Sequence, residues 1–310
     1  MAVGNAPSGG ILSVGFYNNT CPQAESLIQQ TVQEAYKIDR SVSAALLRLF
    51  FHDCFVLGCD ASILINSTKT NLAEKAAGSN FQLRGFDLID AAKAAVEHAC
   101  PGIVSCADIV AIAARDAVVL AKGSRWEVPT GRRDGRISLQ SDADKMLLQT
   151  SDSSEVGIAA FAARGLSKQD FVALLGSHTI GNARCGFFED RLYNFQNSGK
   201  PDPTMNPNLV KLLTNTCLKN FTDPTTPLDQ GTPFIFDSNY YKELLMRNGI
   251  LRIDEEISTD PNLFGFVKKF ATSSLDFDAS FVAAMINLGK VGIKTGSQGE
   301  IRLSCSVINS

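Results

Sequence analysis

Histidine is scarce in this sequence, and its few copies lie far apart. The 310 residues contain only His52, His98 and His178. There is no His-Glu-x-x-His stretch and no Cys-x-x-Cys pair. These absences exclude the usual helical zinc site and make cysteine-bound zinc a poor interpretation. His98 follows Glu97 on a predicted helix and is interpreted as a surface residue, so His52 and His178 are the candidates for a function.

Long apolar runs and clustered positive charge are missing as well. Charged residues interrupt every apolar run well before it could span a bilayer, and the formal net charge is −3. We find no basic stripe with interleaved aromatic residues, no internal repeat and no clear linker. We therefore expect a soluble protein with no transmembrane helix and with neither a membrane nor a nucleic acid as partner.

Cysteine, by contrast, is well represented. The eight cysteines are widely spaced and even in number, which favours disulfides in an oxidising compartment. Three Asn-x-Ser/Thr sequons, at Asn18, Asn66 and Asn220, agree with a secreted protein. The first ten residues have no cationic region followed by an apolar one, so we expect a mature chain from which a signal peptide was removed.

The pattern of apolar residues predicts a mainly α fold, with little strand signal. Helices are predicted over 24–37, 85–99, 105–120, 154–164, 171–175, 208–218, 239–247, 261–273 and 278–291. A further helix begins near residue 42, with Ser41 or Ser43 as its N-cap, and Ser167 and Asp170 form a predicted capping box. Residues 121–143 are interpreted as an ordered connector.

The helix that begins near residue 42 carries two unusual residues. Arg48 and His52 are four residues apart, so they share one face of the helix. Leu46, Leu47, Leu49, Phe50 and Phe51 make that helix apolar on nearly every side, which indicates burial. One interpretation is a core histidine and an arginine paired with a nearby aspartate. The other is a functional pair, because a buried cation needs a reason.

His52 and His178 both lie at the ends of strongly apolar helices. Two such helices could enclose haem, whose iron needs one protein imidazole, and the absence of Cys-x-x-Cys-His predicts that haem is held without thioether bonds. On the opposite side, a neutral imidazole can move a proton between the two oxygens of a peroxide. An arginine beside it stabilises the developing charge. Arg48 and His52 meet both needs.

Two stretches are rich in oxygen ligands. Asp53, Asp60 and Ser62, with carbonyls near Gly58, could bind Ca²⁺, although their spacing alone favours a polar loop closed by Cys54 and Cys59. A comparable set follows His178. It comprises Thr179, Asp229, Thr232, Ile235 and Asp237, and its spacing is not specific by itself.

The chain resembles the plant secretory (class III, horseradish-type) haem peroxidases. The resemblance runs from Gly15-Phe-Tyr-Asn-Asn-Thr-Cys-Pro to Gly299-Glu-Ile-Arg-Leu-Ser-Cys. The stretches Ala45-Leu-Leu-Arg-Leu-Phe-Phe-His-Asp-Cys-Phe-Val-x-Gly-Cys-Asp and Val172-Ala-Leu-Leu-Gly-Ser-His-Thr-Ile-Gly carry most of it. The resemblance implies one domain over 1–310, with haem between two helical lobes and a minor amount of β-structure. The distal lobe would span roughly 11–150 plus the C-terminal segment, and the proximal lobe roughly 151–295.

The resemblance also implies a role for individual residues. His52 would be the distal acid and base, Arg48 would stabilise charge, and Asn80 would accept the other ring proton of His52. Glu74 would support this network and its calcium. His178 would be the axial ligand of non-covalently bound haem b, and Asp254 would accept its far N–H.

Two calcium sites and four disulfides are implied in the same way. The distal Ca²⁺ would be bound by Asp53, the Val56 and Gly58 carbonyls, Asp60 and Ser62, and the proximal Ca²⁺ by Thr179, Asp229, Thr232, the Ile235 carbonyl and Asp237. The implied disulfides are Cys21–Cys100, Cys54–Cys59, Cys106–Cys305 and Cys185–Cys217.

The implied activity is oxidation of small phenolic donors by H₂O₂ in successive one-electron steps, by a monomer in the cell wall or vacuole. This chemistry would serve lignin or wall phenols, or peroxide removal. Two departures concern donor access: Leu148 stands where the family has a proline, and the run after Asn80 is one residue shorter. They leave room for an alternative, a haem- and calcium-containing secreted wall-binding protein with little turnover.

Overall fold

The computed structural model of the protein describes residues 11–219 and 224–310. Within these ranges the helices are α1 Ala24–Ile38, α2 Val42–Phe55, α3 Phe86–Ala99, α4 Cys106–Leu120, α5 Gln140–Met146, α6 Ser154–Ala162, α7 Lys168–Leu175, α8 Glu189–Tyr193, α9 Pro207–Thr216, α10 Asn239–Leu245, α11 Arg252–Thr259, α12 Phe264–Thr272 and α13 Ser274–Leu288. Two short antiparallel strands, β1 Asn182–Arg184 and β2 Thr225–Pro227, pair with Ala183 opposite Thr226. The predicted mainly α fold is confirmed.

Helix α4 is the centre of the first group of helices. Every residue from Cys106 to Val118 is buried, and its alanines let α1, α2 and α3 pack closely against it. Ser105 starts the helix by accepting a hydrogen bond from the Asp108 backbone N–H. The packing of α2 on α4 therefore fixes one face of α2 and leaves the face with Arg48 and His52 to a different neighbour.

A second group of helices packs around α7 and α13, with α10 against α12 and α6 against α7. Helix α7 begins at the predicted capping box, in which Ser167 Oγ accepts from the Asp170 N–H and the Asp170 side chain accepts from the Ser167 N–H. It ends in a 3-10 turn, Gly176–Thr179, which carries His178.

A column of phenylalanine rings joins the two helices that lead to the histidines. Phe55 of α2 lies 5.0 Å from Phe161 of α6, and Phe161 lies 4.8 Å from Phe171 of α7, measured between ring centroids. Phe51 stacks on Phe55 at 4.7 Å. Because these rings are large and well packed, they hold α2 and α7 in a fixed relation.

The C-terminal segment returns to the loop after α2. The Cys59 N–H donates to the Val291 carbonyl at 2.9 Å, and the buried Arg302 guanidinium donates to the Ala61 carbonyl at 2.7 Å. The eight cysteines form Cys21–Cys100, Cys54–Cys59, Cys106–Cys305 and Cys185–Cys217, the same four pairs that the resemblance implies. No helix in the described ranges combines the length and apolarity needed to cross a membrane.

Several elements differ from the sequence prediction, and one of them, α8 Glu189–Tyr193, was not predicted. The prediction of a connector over 121–143 is wrong at its end, because α5 begins at Gln140. Only Ala143 of this helix is buried, so the sequence of α5 shows no apolar period. Helix α11 was not predicted either, because its buried apolar residues are only Ile253 and Ile257, too few to show a helical period. Ser41 does occupy the N-cap of α2, but its hydroxyl donates to Asp39 instead of capping the helix.

Candidate active site

Helix α2 brings Arg48 and His52 into direct contact. One turn apart on the same face, Arg48 Nε donates a hydrogen bond to His52 Nε2 at 3.1 Å. His52 is buried, whereas Arg48 is partly exposed. Since an arginine can only donate, His52 Nε2 must be the unprotonated ring nitrogen in this arrangement.

A short 3-10 turn, Gly78–Asn80, supplies partners to both side chains. Asn80 Oδ1 lies 2.7 Å from His52 Nδ1, and the Asn80 amide nitrogen donates to the Glu74 carbonyl at 2.7 Å. The second bond fixes the amide so that its oxygen faces the ring, and His52 Nδ1–H therefore donates. The Ser79 carbonyl accepts from Arg48 Nη2 at 2.9 Å. Sequence reasoning missed this carbonyl, because a backbone acceptor leaves no mark in the sequence.

The surroundings keep His52 uncharged. Burial, followed by the positive charge of Arg48, lowers the pKa of His52 to about 3, while the hydrogen bond to Asn80 opposes the shift. Burial also lowers the pKa of Arg48. The site therefore presents a neutral imidazole whose unprotonated Nε2 accepts a hydrogen bond from the neighbouring guanidinium. An unprotonated nitrogen beside a positive charge is the combination needed to accept a proton near developing negative charge.

His178 lies in a different setting, on the 3-10 turn that follows α7. Its Nδ1 lies 2.8 Å from Asp254 Oδ1, and its side chain is 27% exposed against 1% for Asp254. Asp254 also accepts hydrogen bonds from the Tyr240 hydroxyl at 2.8 Å and from the Leu251 N–H at 3.2 Å. Tyr240 is a partner that sequence reasoning missed, because it looks like any apolar helix residue. Within the described residues, His178 Nε2 has no hydrogen-bond partner, so it is available to a ligand.

The loop after α2 gathers the predicted distal oxygen atoms in a buried position. The Asp53 carboxylate accepts from the Ala61 and Ile63 N–H groups at 3.0 and 3.4 Å. Asp60 accepts from the Ser62 N–H at 3.1 Å and forms an ion pair with Lys294. Val56 and Gly58 lie between them on the same loop, both buried.

Several of these distal atoms lack a partner. The Ser62 hydroxyl and both carboxylate oxygens of Glu74 are buried without a partner of hydrogen-bond geometry. Burial and then the charge of Asp60 raise the pKa of Asp53, and burial and then Asp53 raise the pKa of Glu74. These buried carboxylates lie close together, so each disfavours the negative charge of the other. A bound cation would relieve this repulsion.

A second oxygen cluster lies directly beside His178. Thr179 Oγ1 and Thr232 Oγ1 each approach both Asp229 Oδ2 and Asp237 Oδ1, at 3.1 to 3.4 Å. Ile235 lies on the same loop between Thr232 and Asp237. In the ranges that the structure covers, no group of three or more His, Cys, Asp or Glu side chains is arranged as a metal site. The second cluster thus offers two hydroxyl and two carboxylate oxygens, which are ligand types that Ca²⁺ uses in proteins.

Comparison with known proteins decides the family. The Peroxidase family profile matches residues 28–273. The chain is 46% identical to Peroxidase 57 of Arabidopsis thaliana, over 96% of this chain and 93% of that protein. It is 44% identical to Peroxidase N1 of Nicotiana tabacum and 45% identical to Peroxidase C2 of Armoracia rusticana, over 96% of this chain and 90% and 88% of those proteins.

The chain belongs to the plant class III peroxidases. It is therefore a haem peroxidase, an oxidoreductase that uses H₂O₂ and a donor substrate, and the predictions of family, fold class and enzyme class are confirmed. The alternative of a binding protein with little turnover is not favoured by these relatives.

The residues present fit the haem that this family carries. His178 offers a free Nε2, and its Nδ1 is held by a carboxylate, the second contact that orients most metal-binding histidines. All eight cysteines are in disulfides, so no thiol is left for a covalent link to haem. Leu148, the predicted access residue, follows α5 and is half-buried against the core. Its neighbour Gln149 contacts Ser79 at 3.2 Å, which places the segment beside the distal turn.

Proposed function

We propose that this peroxidase oxidises small phenolic donors with H₂O₂ in successive one-electron steps, and that Arg48, His52 and Asn80 carry out the reaction with peroxide. Haem, when bound, supplies the redox chemistry that turns one two-electron oxidant into two one-electron oxidations. The observation that carries the proposal is the distal hydrogen-bond chain, in which Arg48 contacts His52 Nε2 and Asn80 holds His52 Nδ1.

The proton chemistry is assigned to His52. Its Nε2 accepts a proton from one oxygen of H₂O₂ and delivers it to the other oxygen, which departs as water. Asn80 keeps the second proton on Nδ1, so that only Nε2 takes part. Arg48 stabilises the negative charge that develops on the departing oxygen, and its charge also keeps His52 neutral beforehand.

His178 is proposed as the axial ligand of non-covalent haem b, through Nε2. The hydrogen bond from Nδ1 to Asp254 gives the imidazole more negative character and hence makes it a stronger donor to iron. Tyr240 donates to the same oxygen of Asp254 and fixes the direction of the carboxylate. In this proposal haem lies between the distal lobe, roughly 11–150 plus the C-terminal segment, and the proximal lobe, roughly 151–295, of one domain. The phenylalanine column supports such an arrangement.

We also assign two Ca²⁺ ions to the two oxygen clusters. Asp53, Asp60, Ser62 and the Val56 and Gly58 carbonyls would hold the distal ion, with Glu74 supporting it. Thr179, Asp229, Thr232, Asp237 and the Ile235 carbonyl would hold the proximal ion. The unpartnered Ser62 and Glu74 oxygens support the first site, and the convergence of two hydroxyls on two carboxylates supports the second.

The proposed setting is an oxidising compartment, the cell wall or vacuole, where the protein acts as a monomer on lignin-type phenols or removes peroxide. Four disulfides support secretion. Asn18 and Asn66 are exposed, as glycosylated residues must be, whereas Asn220 lies outside the described residues. Phe81 directly follows Asn80 and is 82% exposed, which supports an aromatic donor.

An optical spectrum with a turnover assay tests the proposal. Purified protein, reconstituted with haem if needed, should show a Soret band and should oxidise guaiacol with H₂O₂. A protein with no Soret band after reconstitution contradicts the haem assignment. A haem protein that consumes H₂O₂ but leaves a panel of phenols unoxidised contradicts the donor assignment alone.

A further inference from the structure

The turn Gly78–Asn80 holds both members of the distal pair at once. Its Ser79 carbonyl accepts from Arg48 Nη2 at 2.9 Å, and its Asn80 Oδ1 lies 2.7 Å from His52 Nδ1. A displacement of this three-residue turn would therefore move the partners of Arg48 and His52 together. What holds the turn in place thus determines the geometry of the proposed peroxide chemistry.

From inside, the turn is tied to the chain that precedes it. The Asn80 side chain donates to the Glu74 carbonyl at 2.7 Å, and the Asn80 N–H donates to the Ala77 carbonyl at 2.9 Å. Packing contributes little at its first residue, because a Cβ placed on Gly78 would meet no atom within 4 Å. Hydrogen bonds therefore have to hold this outer side.

Two exposed side chains supply those outer hydrogen bonds. Asp144 Oδ1 accepts from the Gly78 N–H at 3.2 Å, and Gln149 Nε2 donates to Ser79 Oγ at 3.2 Å. Asp144 belongs to α5, whereas Gln149 lies beyond the end of that helix, so the two reach the same turn from separate positions.

The segment that carries them is itself anchored to α2. Arg164 Nη2 donates to the Met146 carbonyl at 3.2 Å and to the carbonyl of Phe55, the last residue of α2, at 2.6 Å. The Gln149 N–H is held by Asp152 Oδ2 at 2.7 Å. The segment therefore links the end of α2 to the turn through hydrogen bonds, so the two positions depend on each other.

We propose that Asp144 and Gln149 are positioning residues for the reaction with peroxide, acting through Ser79 and Asn80 on Arg48 and His52. The inference rests on the roles proposed above for Arg48 and His52. It adds that two solvent-exposed residues, which hydrogen-bond to the turn and not to Arg48 or His52, set the position of the acceptors for that pair.

Alanine variants test this proposal in the haem-loaded enzyme. Asp144→Ala and Gln149→Ala should each lower the rate constant with H₂O₂ by about two- to tenfold, the range that the loss of one hydrogen bond allows. The rate constant for donor oxidation should stay unchanged. Asp144→Asn keeps an acceptor oxygen and should restore most of the rate. Asp142→Ala is the matched control, since Asp142 lies on the same helix and its side chain makes no hydrogen bond to the turn among the described residues.

Hydrogen–deuterium exchange gives a readout that does not depend on turnover. Amides of residues 78–83 should exchange faster in Asp144→Ala and Gln149→Ala than in Asp142→Ala, while the melting temperature changes little. Unchanged exchange and an unchanged H₂O₂ rate overturn the proposal. Equal slowing of the H₂O₂ and donor steps, with the control affected as well, also overturns it, because that pattern indicates general loosening.

The roles proposed for Arg48 and His52 and the positioning role of Asp144 and Gln149 can be disproved separately. If His52→Ala leaves the H₂O₂ rate unchanged, the roles proposed for the distal pair fall, and the inference falls with them. If His52→Ala slows the reaction while Asp144→Ala and Gln149→Ala leave both the rate and the exchange unchanged, only the positioning role is wrong.

Discussion

The two functional histidines of this peroxidase donate to acceptors of different charge, a neutral amide for His52 and a carboxylate for His178. His52 Nδ1 meets the amide oxygen of Asn80 at 2.7 Å, and His178 Nδ1 meets the carboxylate of Asp254 at 2.8 Å. The lengths of the two contacts are nearly the same, but the charge of the acceptor is not. Arg48 adds a positive charge on the distal side, whereas Tyr240 adds a neutral donor on the proximal side.

The difference in charge matches two different tasks. An amide orients an imidazole without making it much more basic, so His52 can stay neutral and accept a proton only from its substrate. A carboxylate draws the ring proton towards itself, so His178 becomes a stronger electron donor to a metal. The same side chain is therefore adapted to proton transfer on one side and to metal ligation on the other.

Removing the distal ring should have the largest effect. His52→Ala should slow the reaction with H₂O₂ by roughly 10²–10⁴-fold or more, because a general acid–base group contributes that much, while haem stays bound. Stopped-flow spectroscopy of the reaction with H₂O₂ measures the rate, and the Soret band reports bound haem. Unchanged kinetics, or loss of haem together with activity, would contradict the division between the two histidines.

Making the proximal acceptor resemble the distal one should have the next largest effect. Asp254→Asn removes the negative charge but keeps an oxygen near His178, so we expect a loss of about 10–100-fold in haem affinity or activity. The Fe(III)/Fe(II) reduction potential should rise, because the weaker donor stabilises ferric iron less. Tyr240→Phe is the matched variant: it removes one hydrogen bond to Asp254, leaves more negative charge on the carboxylate, and should shift the potential in the opposite direction by less. An unchanged potential in Asp254→Asn would mean that the carboxylate does not tune the ligand.

Removal of calcium should have a smaller effect, and it should affect the distal side more than the proximal side. Asp53 directly follows His52, so chelation should slow the H₂O₂ reaction by about three- to tenfold before near-UV circular dichroism shows unfolding, since small displacements of a catalytic group are costly. Added Ca²⁺ should restore the rate, and Mg²⁺ should not. Ser62→Ala, in the distal cluster, should lower the rate of the H₂O₂ reaction more than Thr232→Ala does in the proximal cluster. A full H₂O₂ rate in protein shown by metal analysis to lack calcium would refute the coupling.

Whether a contact of the site could be predicted from the sequence depends on how far apart its two residues lie along the chain. Arg48 and His52 are one helical turn apart, so their contact follows from the period of the helix alone. Asn80 and Asp254 lie 28 and 76 residues from their histidines, and only the family resemblance pointed to them. Their contacts depend on tertiary packing, which no local pattern encodes.

Two helices show the same limit at the level of secondary structure. Helix α4 is apolar and alanine-rich, and its predicted range of 105–120 differs from the observed Cys106–Leu120 by one residue. Helices α5 and α11 bury few apolar residues, so neither was predicted, although α11 carries Asp254. The contacts of Asp144 and Gln149 were also out of reach, because exposed polar residues follow no period.

The smallest expected effect tests the access segment, where the distal side meets the donor. Leu147 has φ −78° and ψ 138°, the extended conformation that a following proline requires. Within the described residues the Leu148 N–H makes no backbone hydrogen bond that a proline would remove. Leu148→Pro should therefore fold normally and leave the H₂O₂ rate unchanged. Because proline is smaller than leucine, KM for bulky phenols should fall by about two- to fivefold, with less change for small ones. Leu148→Ala separates lost volume from added rigidity, since it removes the side chain without fixing the backbone. A slower H₂O₂ step in Leu148→Pro would show instead that this segment acts on the distal pair, in the way proposed for its neighbour Gln149.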